Sequence, residues 1–390
     1  MGSDLSSHLT HQELRIARSA TLDVGAGYPH LTLPDWLRAE VWDTSQFGEI
    51  YAFPPDWSPE TARRVTLELL ESACRLLGIS THHAAHGFVT FSGSASLDRV
   101  IESQVGHGRS VITTSPCIDI IPGMFSERHE ANVIYVPAND RFGLDLAGLA
   151  DRLDSRTDCI VLTSPENPTG NVISAADLAA VSELAAERGI SLVLDQCFGL
   201  IDPFKNGIPL LPNLAPEDLD WIFLWDTGKT FGLNEDKLGF IFCSPSLYPR
   251  ISQRLNILQF DVSRRLKYLF LRIFDAALTN DYPLKLSEAV RSNIALAERA
   301  CANSTLRALR PNAGSFLLLD TSESAEGADA LATRLLREAR VGVIRTDSFF
   351  HPTPSPEQRD RYLRIALARE PGVLAEALDR ILEVAARPRG

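Results

Sequence analysis

The chain has 390 residues, of which 45% are hydrophobic and 23% charged, and a net charge of −12. That is ordinary globular composition, long enough for two domains or for one large domain with an appendage. The acidic balance, with no Lys/Arg-rich stripe, argues against nucleic acid or an anionic membrane as a partner. No apolar run approaches the roughly 18 residues of a membrane helix, and MGSDLSSHLTHQELRIARS at the N-terminus lacks the apolar core of a secretory signal. The six cysteines are scattered without a C-x-x-C spacing, which predicts reduced thiols in a cytoplasmic protein and neither a disulfide framework nor a zinc site.

In chain order, residues 8–20 read as a helix and 25–34 (GAGYPHLTLP) as an extended arm. Residues 58–78 begin with Ser58 as cap, Pro59 in the first turn and Glu60 nearby, and continue at helical apolar spacing. Short β-rich apolar runs follow at 88–91, 110–114, 132–137, 158–163 and 190–195, with helical segments such as 174–189 between them. Buried strands alternating with helices predict an α/β fold: a mostly parallel central sheet with helices on both faces. Beyond about residue 245 the chain is mainly helical to about 308. Strand-like runs at 314–320, 341–346 and 361–368, a helix near 327–339 and a final helix predict a smaller α+β unit joined by a long helix. There are no repeats and no linker long enough to separate modules.

Ligands gather at the carboxyl ends of strands in such a sheet, and several motifs sit there. After 88–91 comes 92-SGSAS-96, read either as an ordinary capped turn or as a phosphate turn at a helix N-terminus. After 158–163 come Asn167, Pro168, Thr169 and Gly170, a rigid turn able to fix an Asn side chain over a ligand. Asp195 ends the next strand, as a helix cap or as the partner of a buried cation. After 221-WIFLW-225 come Asp226, Lys229 and Lys237. A lysine held between two buried strands suits a covalent imine better than a solvated surface role.

Taken in order, these motifs resemble the fold type I pyridoxal phosphate (PLP) enzymes, the aspartate aminotransferase superfamily, over roughly residues 20–385. The resemblance implies a division into an N-terminal helix and arm (1–50) that contributes to the small domain and a substrate lid, a large PLP-binding domain (51–275) and a small C-terminal domain (276–390). It implies that Lys229 forms the Schiff base with PLP, later serves as acid and base at Cα of a free L-amino acid, and supports a carbanion or quinonoid there. Asp195 would keep the pyridine nitrogen protonated, Asn167 would bond the ring O3′, and Ser94, Ala95 and Lys237 would cradle the phosphate. Arg364, in 361-RYLRIALA-368, would take the substrate carboxylate. A homodimer follows from the same resemblance, with Tyr51 either reaching the neighbouring subunit's phosphate or serving as a turn aromatic.

The departures from the family pattern select a branch. Lys237 stands where an arginine is usual, Asp226 where a serine is usual, and Phe198 where a tyrosine is usual. Asp226 is therefore expected to face a cationic substrate or Lys237, and Phe198 withholds one hydrogen bond from O3′. The position that often stacks an aromatic on the ring falls near Ile118. Together with D-T-G-K and R-I-A-L-x-R, these features are similar to the oxygen-using PLP arginine oxidases and hydroxylases of natural-product pathways. In that branch an N-terminal T-x-x-E folds over bound arginine, and Thr10 and Glu13 have that spacing here; the same four residues also make a helix start. A histidine of that branch aligns with Ala26, with His30 four residues on, which counts against a hydroxylating step. The alternative is an ordinary aminotransferase. His82, His83 and His86 read as surface histidines, not as a metal site.

Overall fold

The computed structural model describes residues 19–42, 59–118, 120–259 and 261–387. Thr10, Glu13 and Tyr51 lie outside the described residues, as does the helix expected over 8–20 apart from its last two positions, which form a turn and a bend.

The main sheet has seven strands: β1 (Gly87–Thr90), β2 (Ser110–Ser115), β3 (Asn132–Pro137), β4 (Thr157–Thr163), β5 (Ser191–Asp195), β6 (Trp221–Asp226) and β7 (Gly239–Cys243). Their order is β1-β7-β6-β5-β4-β2-β3. Only β7 runs against the rest, pairing antiparallel with both β1 and β6. The uninterrupted apolar runs have a plain cause. Along β5, Leu192 and Leu194 enter one apolar cluster while Val193 enters the other. Along β6, Phe223 faces the first, Ile222 and Leu224 the second. Both faces are covered, so both sets of side chains must be apolar. Helix Pro59–Leu77 starts at its proline and buries Val65, Leu69, Leu70, Ala73, Leu76 and Leu77 along one stripe.

A second, antiparallel sheet follows the long helix Tyr282–Cys301: β8 (Arg307–Leu309), β9 (Phe316–Asp320), β10 (Ile344–Arg345) and β11 (Tyr362–Ala366), in the order β10-β11-β9-β8. The single strand expected over 341–346 divides in two. Val341–Gly342 pairs in parallel with Leu22–Asp23, whereas Ile344–Arg345 pairs with β11. The segment changes partner at Val343, and the first pairing ties the N-terminal arm to this unit. No helix among the described residues is long and apolar enough to cross a membrane.

Candidate active site

The ends of β1 and β6 are drawn together by glycine. Gly239 opens β7 and is the register partner of both Thr90 and Asp226. A Cβ on Gly239 would lie 2.4 Å from the Ser92 backbone, so only glycine admits the turn after β1 this close to β6. Helix Gly93–Gln104 begins there. Ser92 caps it, its Oγ accepting the Ala95 N–H at 3.1 Å. Asp226, 3% exposed, closes the gap: its Oδ2 accepts the Gly93 N–H at 2.7 Å and its Oδ1 the Gly228 N–H at 2.7 Å. A carboxylate at a helix N-terminus meets both the dipole and the open N–H groups. Ser94 is exposed and Ala95 half-buried on the first turn of that helix.

Lys229 stands on the short helix Gly228–Phe231 that follows β6. Its ammonium lies 4.0 Å from the centroid of the Tyr28 ring and 5.7 Å from that of Phe198. Lys237 reaches the same Tyr28 ring at 5.5 Å. Asp195 ends β5, half-buried, and accepts the Cys197 N–H at 3.0 Å. Burial pushes its carboxyl up, and the charge of Asp226 adds to the rise; hydrogen bonds from Cys197 and the charge of Lys229 oppose it. The Cys197 thiol is pushed well above its ordinary value by burial and by the two carboxylates.

Two arginines close the site from the C-terminal side. Arg364 on β11, 3% exposed, donates from Nη1 to Asn167 Oδ1 at 2.6 Å and from Nη2 to the Gly25 carbonyl at 2.7 Å. Arg369, 1% exposed, donates to the carbonyls of Asp23, Ala26 and Tyr28 at 3.0, 2.5 and 2.6 Å. Burial pushes its guanidinium down to about 10. Asp23 Oδ1 in turn accepts the N–H groups of Gly25 and Ala26.

The structure thus brings Lys229, Lys237, Asp195, Asp226 and Phe198 near one another, with Asn167 and Arg364 bonded to each other and the turn bearing Ser94 and Ala95 bonded to Asp226 through Gly93. Ala26 is buried in the arm, 1% exposed, and His30 is exposed. His82, His83 and His86 form a 3-10 turn, in which burial pushes His83 down to about 4. Sequence reading missed Tyr28, Arg369 and Cys197. For Arg369 a signal was present, since it closes the R-I-A-L-x-R motif. Tyr28 lies some two hundred residues from Lys229 and carries no local pattern that links the two.

Residues 25–381 match the family Aminotransferase class I and II. The chain belongs to that family. It is a PLP-dependent enzyme with the family's α/β fold. Among its relatives, the probable aspartate/prephenate aminotransferase of Aquifex aeolicus is 23% identical over 380 residues, 95% of this chain and 92% of that protein. The aspartate/prephenate aminotransferase of Thermus thermophilus is 26% identical over 376 residues, 94% of each. The structure of MppP soaked with the product 2-ketoarginine superposes with a TM-score of 0.79 at 21% identity, covering 93% of this chain and 99% of that one. The residues present suit the cofactor. A half-buried carboxylate at a strand end, pushed up by desolvation and by a second carboxylate, is set to gain from a cation such as a pyridinium N–H. Lys229 and Lys237 both lie over the Tyr28 ring beside it.

Proposed function

We propose that Lys229 holds PLP covalently, that the enzyme acts on a free L-amino acid, and that its specific reaction is oxidation of L-arginine or a close cationic analogue by O2. The observation that carries the covalent role is the position of Lys229: three residues beyond a buried strand end, between two aromatic rings and beside Asp195. When bound, PLP supplies a sink for the electrons released at the substrate Cα.

In this reading Asp195 holds the proton on the ring nitrogen, and its low-dielectric surroundings strengthen that pair. Asn167 accepts from Arg364 on its amide oxygen, and its Nδ2 would be the donor to O3′. Phe198 packs without a hydroxyl and leaves O3′ one donor fewer. Lys237 would face the phosphate as a point charge in place of a fork, beside Ser94 and Ala95 on the first turn of helix Gly93–Gln104, where the Ala95 N–H is already held by the Ser92 hydroxyl. The Arg364 guanidinium orients the substrate carboxylate, and the Lys229 amine carries the proton at Cα. Both Asp226 oxygens hold backbone N–H groups, so direct pairing with a guanidinium falls to Thr10 and Glu13, and Asp226 contributes its charge.

Support for arginine comes from the T-x-x-E spacing, from Asp226 in place of a neutral residue, and from the likeness to MppP, whose structure carries 2-ketoarginine as product. Transamination is the second reading, favoured by relatives named as aminotransferases along almost the whole chain. We infer a homodimer in either case, with Tyr51 directed at the partner's phosphate. An oxygen electrode separates the two readings. O2 uptake with arginine and no 2-oxo acid supports oxidation. Turnover that demands a 2-oxo acid and ignores O2 means transamination.

A further inference from the structure

We propose that Tyr28 is a substrate-positioning residue whose ring face receives the α-ammonium group of the incoming amino acid. This deepens the reading of Lys229 given above and rests on it. Three observations carry the proposal.

First, the ring already holds an ammonium. Lys229 Nζ stands 4.0 Å from its centroid, within the reach of a cation–π contact, and Lys237 Nζ stands at 5.5 Å. Chemistry at Lys229 exchanges one amine for another. The substrate nitrogen must arrive where the lysine nitrogen stands, and the lysine, once displaced, must have somewhere to rest as an ammonium. One aromatic face beside the exchange point serves both needs in turn, because only one of the two amines is free at a time.

Second, the ring is delivered by backbone. The Tyr28 carbonyl accepts from Arg369 Nη1 at 2.6 Å, the Ala26 carbonyl from Nη2 at 2.5 Å, and the Gly25 carbonyl from Arg364 at 2.7 Å. The His30 N–H donates to the Ala368 carbonyl at 2.8 Å. A Cβ on Gly27 would meet the Phe316 ring at 2.9 Å, so the arm packs directly against the second sheet. The backbone that carries the Tyr28 side chain is thus held at several points beside Lys229.

Third, the same arginine that anchors the arm at Gly25 also bonds Asn167. The expected carboxylate site and the proposed ammonium site are thus set on one scaffold. An α-amino acid carries both groups on one carbon, and a fork for the first and a π-face for the second fit its head group whatever the side chain.

The test compares two ligands that differ only in the ammonium: L-arginine, or whichever L-amino acid of a panel gives a spectral response, and its des-amino carboxylic acid as a competitive inhibitor. In the holoenzyme, Tyr28→Leu raises KM for the amino acid about 2- to 30-fold, the range an ammonium on an aromatic face supports. It leaves the Ki of the des-amino acid unchanged. Tyr28→Phe keeps the ring and behaves as wild type in both. Tyr28→Met replaces Tyr28→Leu should the latter not fold. An unchanged KM in the non-aromatic variant, an equal rise for both ligands, or a Tyr28→Phe enzyme as impaired as Tyr28→Leu overturns the proposal. Failure of the underlying reading has a separate signature, because borohydride would then fix no cofactor onto Lys229 of the wild type, before any variant is compared.

Discussion

Glu166, next to Asn167 in the turn after β4, is a buried carboxyl placed where ionisation is costly, and its cost can be measured. It is 6% exposed; its oxygens accept from the Thr169 hydroxyl at 2.6 Å and the Thr114 hydroxyl at 3.5 Å, the latter a long contact. Burial pushes its carboxyl up to about 8, against only these neutral hydrogen bonds. The sign follows from linkage. An unfolded glutamate loses its proton near pH 4.5, whereas the folded one keeps it until about pH 8. Between those values the unfolded chain gains from ionising and the folded one does not, so stability falls as pH rises, by about 1.4 kcal/mol per pH unit, and levels off above pH 8. The full loss is about 5 kcal/mol, or roughly 3 if a single unit of the rise is discounted. Glu166→Gln stays neutral throughout, and its amide oxygen still accepts from Thr169. Urea denaturation of cofactor-free protein at one fixed concentration should give equal stabilities for variant and wild type near pH 4. By pH 8 the variant should be more stable by roughly 3–5 kcal/mol. Parallel pH profiles for the two proteins would refute the argument.

Three further outcomes are expected. Lys229→Ala should lose the borohydride-fixed cofactor adduct and essentially all turnover; wild-type rates in that variant would remove the lysine from the chemistry. Asp195→Asn should weaken PLP binding by about 1.5–3 kcal/mol, the worth of one charge-assisted hydrogen bond, while the rate of the bound enzyme falls much further; an unchanged rate with bound cofactor would reduce Asp195 to a cap. Asp320, 1% exposed, accepts from Arg307 at 2.7 Å and from Arg361 at 2.9 Å, and those arginines hold its carboxyl well below the usual range against the opposing effect of burial. Its contribution is complete above about pH 4 and is lost only as pH falls toward the folded value, so Asp320→Asn should destabilise the protein at pH 7 and far less in strong acid, read by denaturation at both pH values.

The central sheet was legible because burial on both faces leaves a mark that survives without context: unbroken apolar runs ending at polar turns. The placement of Asp195 and Asp226 at strand ends, with Lys229 just beyond, was legible for the same reason, since each apolar run stops at a polar residue. Strand direction was not written there. Residues 239–243 form the second of the two buried strands that flank Lys229, and it is their pairing and the tight approach at Gly239 that show them turning back between β1 and β6. The immediate partners of Asp226 were not legible either. A carboxylate three residues before a lysine suggests another charge, whereas the structure gives it two backbone N–H groups, which have no sequence signature. Tyr28 was hidden most completely. Its place at Lys229 depends on hydrogen bonds from Arg364 and Arg369 to main-chain carbonyls more than three hundred residues away.

Arg369 shows what those bonds achieve. Burying a guanidinium is costly, and an apolar side chain of similar volume often serves stability as well or better. The lowered pKa of about 10 records that cost and still leaves the group charged at neutral pH. No apolar residue, however, holds the carbonyls of Asp23, Ala26 and Tyr28 at once. The planar five-donor fork does so in fixed geometry. It therefore specifies the course of the arm over the site more than it stabilises the fold. Arg364, five residues earlier in the chain, uses the same fork to join the arm to the turn that carries Asn167. The aromatic wall at Lys229 and the Asn167 turn are thus positioned together, and a change in one arginine is felt at both. Arg369→Leu should accordingly shift the arm and disturb amino-acid binding, whereas Tyr28→Leu removes the ring and leaves the arm where it is.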